Sequence, residues 1–344
     1  MTEPNASPQQ GTSPRRDAAD LHVPVLRDRC VELLAPALRE PGSVLVDGTL
    51  GMGGHSEAVL EARPNASVIG IDRDLQAIDL ASRRLARFGE RFRAVHATYD
   101  EIDEVVADVV GHPVQGVLLD LGVSSLQLDD AERGFSYSRP APLDMRMDAS
   151  TGPTAADLLA EDDERELARI LREYGEERFA HRIASAIVRE RATTPLETST
   201  QLAELVQRSV PRASQKTGGH PAKRTFQALR IAVNGELDIL ADALPRAIEV
   251  LAVGGRIVVE SYHSLEDRLV KRALARGATS SAPREWPIEP ETHRPYLELV
   301  VRGAEKADDV EQATNPRAAS VRLRAATRTR PTPDHMLDAA WRTS

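Results

Sequence analysis

Residues 43–72 read SVLVDGTLGMGGHSEAVLEARPNASVIGID. SVLVD (43–47) is a short apolar run that ends in an acid, the signature of a buried strand. DGTLGMGGH (47–55) follows, and glycines 48, 51, 53 and 54 let the backbone turn sharply and approach a ligand without a Cβ in the way. A helical stretch runs to about residue 62, and SVIGID (67–72) is a second strand. Strand, glycine turn, helix and strand form the opening unit of a parallel, doubly wound sheet. Such sheets bind ligands at the carboxyl ends of their strands, beside this first turn.

The alternation continues outward. Residues 74–88 place Leu75, Ile78, Leu85 and Phe88 at helical spacing, FRAVH (92–96) is a third strand, a polar helix covers about 100–110, and GVLLDLG (116–122) is a fourth strand. Upstream, 25–39 reads as a helix with Cys30 as a small buried residue. The pattern then changes. Residues 133–150 are loop-like, and helices are predicted over 154–160, 163–174, 176–192, 198–209 and 222–243, with Thr154, Thr198 and Thr200 as candidate N-caps. Strands resume at 255–260, 296–301 and 319–326, and Ser264 with Asp267 makes a capping box for a helix after the first of these. The expectation is a seven-strand α/β domain interrupted after its fourth strand. Residues 1–20 form a disordered extension, 21–132 and 244–328 the two parts of the α/β core, 133–243 a helical insertion, and 329–344 a frayed tail.

Composition bounds the rest. With 41 % hydrophobic and 28 % charged residues in a chain of 344, a sizeable core is expected. The net charge of −9 excludes coating of nucleic acid or anionic membrane by bulk charge, though not a local basic patch. Cys30 is the only cysteine, so no internal disulfide or Cys-based metal cluster can form, and no metal is expected. No apolar run approaches the ~18 residues of a membrane span, and the N-terminus lacks the apolar stretch of a secretory signal. A cytoplasmic protein is the expectation.

Three aspartates end strands at the expected crevice. Asp72 lies 21 residues after Gly51, where a carboxylate can accept both ribose hydroxyl protons of an adenosine; Asp47 and Asp120 end the first and fourth strands. Two cofactor classes use this layout. A dinucleotide wants G-x-G-x-x-G, but here GMGGHS puts Ser56 in the third position, and Asp47 would repel a pyrophosphate. S-adenosylmethionine carries no phosphate, and an acid beside the turn suits its amino-acid end.

Charge is segregated. Residues 205–235 hold Arg208, Arg212, Lys216, Lys223, Arg224 and Arg230 without an acid, and 312–333 hold Arg317, Arg322, Arg324, Arg328 and Arg330, again without one. Segregation of this kind is expected of a phosphate-contacting surface; a solvated helix face is the plainer alternative. Phe135, Tyr137 and Tyr262 border the crevice, as stacking partners for a base or as packing at the domain junction.

The motifs HVPVL (22–26), DGTLGMGGHS (47–56), IDRD (71–74), LLDLGVSSLQLDDAERGFSY (118–137), PLDMRMD (142–148), YGEE (174–177), HPAKRTFQALRIAVNGEL (220–237), GGRIVVESYHSLEDR (254–268) and NPRAASVRLRA (315–325) occur in this order. In them the chain resembles the RsmH (MraW) family of rRNA cytosine-N(4)-methyltransferases over residues 21–328. The resemblance implies a class I, Rossmann-like methyltransferase core with an inserted helical domain for RNA recognition. It also implies S-adenosylmethionine as cofactor, held at Gly53, Gly54, His55, Asp72, Tyr99, Asp120 and Gln127, with Tyr99 covering the adenine. The implied substrate is a decoding-centre cytidine, position 1402, of 16S rRNA within the small ribosomal subunit, with neither DNA nor membrane as partner. The usual amino-methyltransferase tetrad of Asp or Asn, Pro-Pro and an aromatic is replaced by DLGVSS (120–125). Asp120 is the first candidate acceptor for the amine. His263 is either a general base or a residue bonding the turn after strand five. PLDMRMD has no assigned role, though Asp144 and Asp148 could hold the domain junction through Arg146. Two other readings stand beside this one: an NAD-dependent dehydrogenase, against which Ser56 and Asp47 argue, and a non-catalytic RNA-binding assembly factor, against which the intact glycine loop argues.

Overall fold

A computed structural model describes residues 23–337 apart from 125, 126, 129, 131, 132, 138, 213 and 215–219. The extension expected to be disordered, 1–20, lies outside the described residues. Seven strands, β1 (Val44–Asp47), β2 (Ser67–Asp72), β3 (Phe92–His96), β4 (Val114–Asp120), β5 (Leu251–Ser261), β6 (Leu297–Leu299) and β7 (Arg322–Arg328), form one sheet in the order β3-β2-β1-β4-β5-β7-β6. The first five are parallel; β7 is antiparallel to both β5 and β6.

Alternating side chains explain the two covered faces. Val46, Val117, Leu119, Ile257 and Val259 face one layer, where α4 (Ile102–Val109), α10 (Glu236–Glu249) and α11 (Ser264–Gly277) supply Ile102, Leu240, Leu244, Val270 and Leu274. Leu45, Leu118 and Val258 face the other, covered by α1 (Arg27–Leu34), α2 (Gly54–Ala62) and α3 (Leu75–Leu85). Cys30 is buried there, as expected. Between β4 and α10, helices α5 (Ala155–Glu161), α6 (Glu164–Glu173), α7 (Ala180–Arg191), α8 (Ser199–Ser209) and α9 (Lys223–Asn234) enclose a separate core around Phe135, Leu143, Met145, Ile183 and Leu229. Thr154, Asp163 and Thr198 cap α5, α6 and α8 through their side chains.

Several expectations need correction. The helix predicted over 222–243 is two helices, because Gly235 takes a left-handed backbone (φ 61°) and ends α9. The second of the two, α10, packs on the sheet, so the core resumes at 236 rather than 244. The helix predicted from 176 starts at Ala180, since Glu176 has φ 48°. Thr200 lies inside α8 rather than capping it. The box that opens α11 is His263 with Glu266, one residue earlier than Ser264 with Asp267; Asp267 instead pairs with Arg322 and Arg324. Residues 329–337 do not fray: Thr332 is buried and bonds Glu249, and a last short helix, α13 (Asp334–Leu337), follows α12 (Asp309–Thr314) in chain order. Among the described residues no helix is long and apolar enough to cross a membrane.

Candidate functional site

At the carboxyl ends of β1, β2, β4 and β5 lies a cavity of about 400 Å³. The glycine turn forms its floor. Gly53 donates to the Leu50 carbonyl (2.8 Å), Gly51 to Asp72 Oδ2 (2.8 Å), and Leu50 to the Ile71 carbonyl (3.0 Å), so the turn is stitched to the end of β2. A Cβ on Gly54 would come within 2.4 Å of Pro24 Cγ, and one on Gly48 within 2.6 Å of Leu119, so these two positions are crowded, while Gly51 has space but a left-handed backbone (φ 50°). Gly53 has φ +77°, a Cβ there would meet Leu85 at 2.9 Å, and it is not among the residues lining the cavity.

The three strand-ending aspartates do different work. Asp47 is wholly buried; it accepts from Ser56 Oγ (2.7 Å) and the Thr49 amide (3.2 Å), and it does not line the cavity. The expectation that Asp47 meets the amino-acid end of a ligand is corrected: Asp47 and Ser56 hold the turn. Asp72 lines the cavity, and accepts the Gly51 amide on one oxygen and the Asp74 amide (2.9 Å) on the other, each oxygen keeping a second lone pair. Burial pushes its pKa up to about 6. Asp120 also lines the cavity. Its Oδ1 accepts from Tyr262 Oη (2.7 Å), its Oδ2 stands 3.6 Å from His55 Nδ1, and its amide donates to Thr49 Oγ1 (2.6 Å). Tyr99 and Gln127 complete the predicted set at the cavity. Gln127 is buried rather than superficial: its Oε1 accepts the Ser124 amide and its Nε2 donates to Asp74, which also receives Arg133 at 3.0 Å.

Pro24 and Val25 of HVPVL form a further wall, with the Val25 carbonyl 3.0 Å from His55 Nε2. That wall is pinned from the far end of the chain: Glu311 accepts the Leu26 amide (2.6 Å) and Asn315 bonds the Val23 carbonyl (3.2 Å). The sequence offered no sign of this pairing beyond the motifs themselves.

The opposite wall belongs to the insertion, through Phe135, Tyr137, Met147, Lys223 and Phe226. Phe135 is buried in the insertion core; Tyr137 stacks on His220 (4.6 Å, 15°) and meets the edge of Phe226. PLDMRMD gains a role here. Met145 is buried with φ 61°, and Asn234 of α9 grips the strand from both sides, donating to the Met145 carbonyl (2.8 Å) and accepting the Met147 amide (2.7 Å). Arg146 folds back on Asp144, and Asp148 caps Ser150, so neither spans the junction; Arg133 does, from the Met147 carbonyl (2.7 Å) to Asp74.

The basic residues separate into three groups. Arg208, Arg212, Lys223 and Arg224 are exposed, with Arg208 3.6 Å from Glu190 and Arg224 bonded to the Glu176 carbonyl. Lys216 lies outside the described residues. Arg230 lines the cavity rather than the outer basic face: it pairs with Glu236 at 2.7 Å beside Glu266, tying α9 to α10 and α11. The second arginine segment is largely consumed internally, Arg322 and Arg324 on Asp267 and Arg328 on Glu249. His263 lines the cavity and also bonds its turn: Nδ1 accepts the Glu266 amide (3.3 Å), and Nε2 lies 3.0 Å from Glu266 Oε1 without hydrogen-bond geometry. Burial works against the Glu266 charge, yet His263 and Arg230 hold its pKa below the usual value.

Glycine turn, strand-ending acids and a lined cavity at a seven-strand mixed sheet define a class I α/β enzyme core. Residues 19–329 match the MraW methylase family, and the chain belongs to it. It is therefore an S-adenosylmethionine-dependent methyltransferase, which sets the dehydrogenase reading aside. A protein of Beutenbergia cavernae named ribosomal RNA small subunit methyltransferase H is 70 % identical over 94 % of this chain and 97 % of its own. Proteins of the same name from a Nocardioides species and from Frankia alni are 61 % and 60 % identical, over 90 % and 91 % of this chain and 97 % of each of theirs.

Proposed function

We propose that this protein methylates the exocyclic N(4) amine of a decoding-centre cytidine in 16S rRNA of the small ribosomal subunit. The observation that carries this reading is the position of Asp120. It lines the same cavity as a set suited to the cofactor (Gly54, His55, Asp72, Tyr99) and a set from the insertion (Phe135, Tyr137, Lys223). The names of the relatives support rRNA as the substrate.

The residues present fit S-adenosylmethionine. Gly48, Gly51 and Gly54 line the cavity without side chains, and Asp72 keeps lone pairs for two ribose hydroxyls. When bound, the cofactor supplies a methyl group whose bond to sulfur breaks as a bond to the attacking nitrogen forms. The chain's own work is alignment and proton handling. A cytosine amine is a weak nucleophile because its lone pair is delocalised into the ring. Asp120, accepting an amine hydrogen, localises that pair and then takes the proton the methylated nitrogen sheds. Its bond from Tyr262 fixes the carboxylate. Lys223, at the first turn of α9 and at the cavity rim, would meet a flanking phosphate, with Arg224, Arg212 and Arg208 extending the path. His263 keeps the β5–α11 turn in place. The test is incubation of the protein with labelled S-adenosylmethionine and undermethylated small subunits, followed by mapping of the label. Label on a cytidine N(4) of the decoding centre is expected; label elsewhere, or none, overturns the reading.

A further inference from the structure

Asp120 on β4 and Glu260 on β5 are direct register partners. Register neighbours on parallel strands project to one face about 5 Å apart, so two carboxyl groups are brought side by side. Asp120 reaches the cavity, whereas Glu260 is 0 % exposed.

The neighbours of Glu260 decide where its proton sits. Cys30 Sγ donates to Glu260 Oε1 at 3.4 Å. The Val25 carbonyl can only accept, so His55 Nε2 carries its hydrogen toward Val25. His55 Nδ1 stands 3.6 Å from Asp120 Oδ2 and its Nε2 3.7 Å from Glu260 Oε2, both beyond hydrogen-bond distance. Asp120 Oδ1 is already served by Tyr262. Among the described residues Glu260 Oε2 has no hydrogen-bond partner. A buried carboxylate oxygen without a donor is strongly disfavoured; an oxygen that itself carries the hydrogen is not. Burial, and next the Asp120 charge beside it, push the Glu260 pKa well above the usual range. The side-chain donor atoms of Cys30, His55 and Glu260 all lie within 4.8 Å of one another. Two of the three are already committed, the thiol hydrogen to Glu260 and the imidazole hydrogen to Val25, so the cluster reads as a hydrogen-bond network.

We propose that Asp120 and Glu260 share a single proton, Glu260 Oε2–H donating to Asp120, and that Glu260 is thereby a positioning residue for methyl transfer. The proposal rests on Asp120 being the acceptor for the substrate amine. The negative charge then stays on the cavity side, aimed at the amine. In turnover the methylated nitrogen gives up one proton to Asp120, so the pair goes from one proton to two, and the extra proton leaves through the cavity with product. Nothing is oxidised or reduced.

The test pairs infrared spectroscopy with single-turnover methylation of undermethylated small subunits, using the full chain. The wild-type spectrum at neutral pH should contain the carbonyl stretch of a protonated carboxyl, and Glu260→Gln should remove it. Because a carboxamide can still donate to Asp120 and accept from Cys30, Glu260→Gln should methylate near the wild-type rate. Glu260→Leu should lose about ten- to a hundredfold, the range for a hydrogen bond to a charged group. Two results overturn the shared proton: no such carbonyl band in wild type, or stoichiometric zinc in the purified protein that Glu260→Gln abolishes. A wild-type rate in Glu260→Leu overturns the positioning role. If Asp120→Ala were also near normal, the failure would lie in the reading of Asp120 itself.

Discussion

Burial pushes the pKa of Asp72 up to about 6, while the Gly51 and Asp74 amides occupy one lone pair on each oxygen. The shift from the ordinary value of 3.8 is upward, so below about pH 6 the empty site holds a proton that two ribose hydroxyls would have to displace. Affinity for S-adenosylmethionine should therefore fall as pH drops through about 6 and be level above it. Calorimetry across that range should show the dependence in wild type and its absence in Asp72→Asn. Asp72→Ala should weaken binding by about 1.5–3 kcal/mol at neutral pH. Asp120 should behave differently, through turnover rather than affinity. Asp120→Ala should lose about 10²–10³ in single-turnover rate, with Asp120→Asn intermediate and both melting near wild type. In the sequence Asp47, Asp72 and Asp120 look alike, each ending a strand. Only the fold separates the one bonded inside its turn from the two that reach the cavity. Glu260 carried a signal that went unread, an acid inside the apolar run GRIVVES.

The central strands β1 and β2 were legible because they are buried on both faces and read as near-continuous apolar runs; β3, the half-exposed edge strand, was legible from its place in the strand–helix alternation. The break at Gly235 was less so: apolar spacing continues across it, and the only local mark of it is the Asn234-Gly235 pair. The arginine segments show a second limit. Counting charge along the chain finds clusters, but it cannot find Asp267 and Glu249, the partners that consume Arg322, Arg324 and Arg328 from 50 or more residues away. The two segments should therefore separate by experiment. Replacing Lys223 and Arg224 by Ala should flatten the log–log salt dependence of rRNA binding by roughly 1–2 units and leave cofactor affinity alone. Replacing Arg322 and Arg324 by Ala should lower stability by about 1–3 kcal/mol, read by denaturant unfolding, without changing the salt slope.

For the molecule as a whole, what matters is how the insertion is joined to the sheet. Arg73 donating to the Asn234 carbonyl (3.2 Å), Arg133 on Asp74 and Arg230 on Glu236 make the joint, while the Asn234 side chain holds the Met145–Met147 segment inside the insertion. Asn234→Ala leaves the Met147 amide without its partner and should cost about 1–3 kcal/mol. Urea unfolding followed by a probe in each part should show the two transitions moving apart. The remaining wall has a different origin. Val23–Leu26 is fastened by Glu311 and Asn315, and Arg317 and Ser320 reach the same cavity. A nascent chain makes its five parallel strands, glycine turn and insertion well before those residues leave the ribosome. Until then Val23–Leu26 lacks its bonds to Glu311 and Asn315 and is held at Val25 by His55. The wall beside the glycine turn is thus completed only by residues made about 50 positions after β5 ends, and a chain released before them is a sheet with an open side.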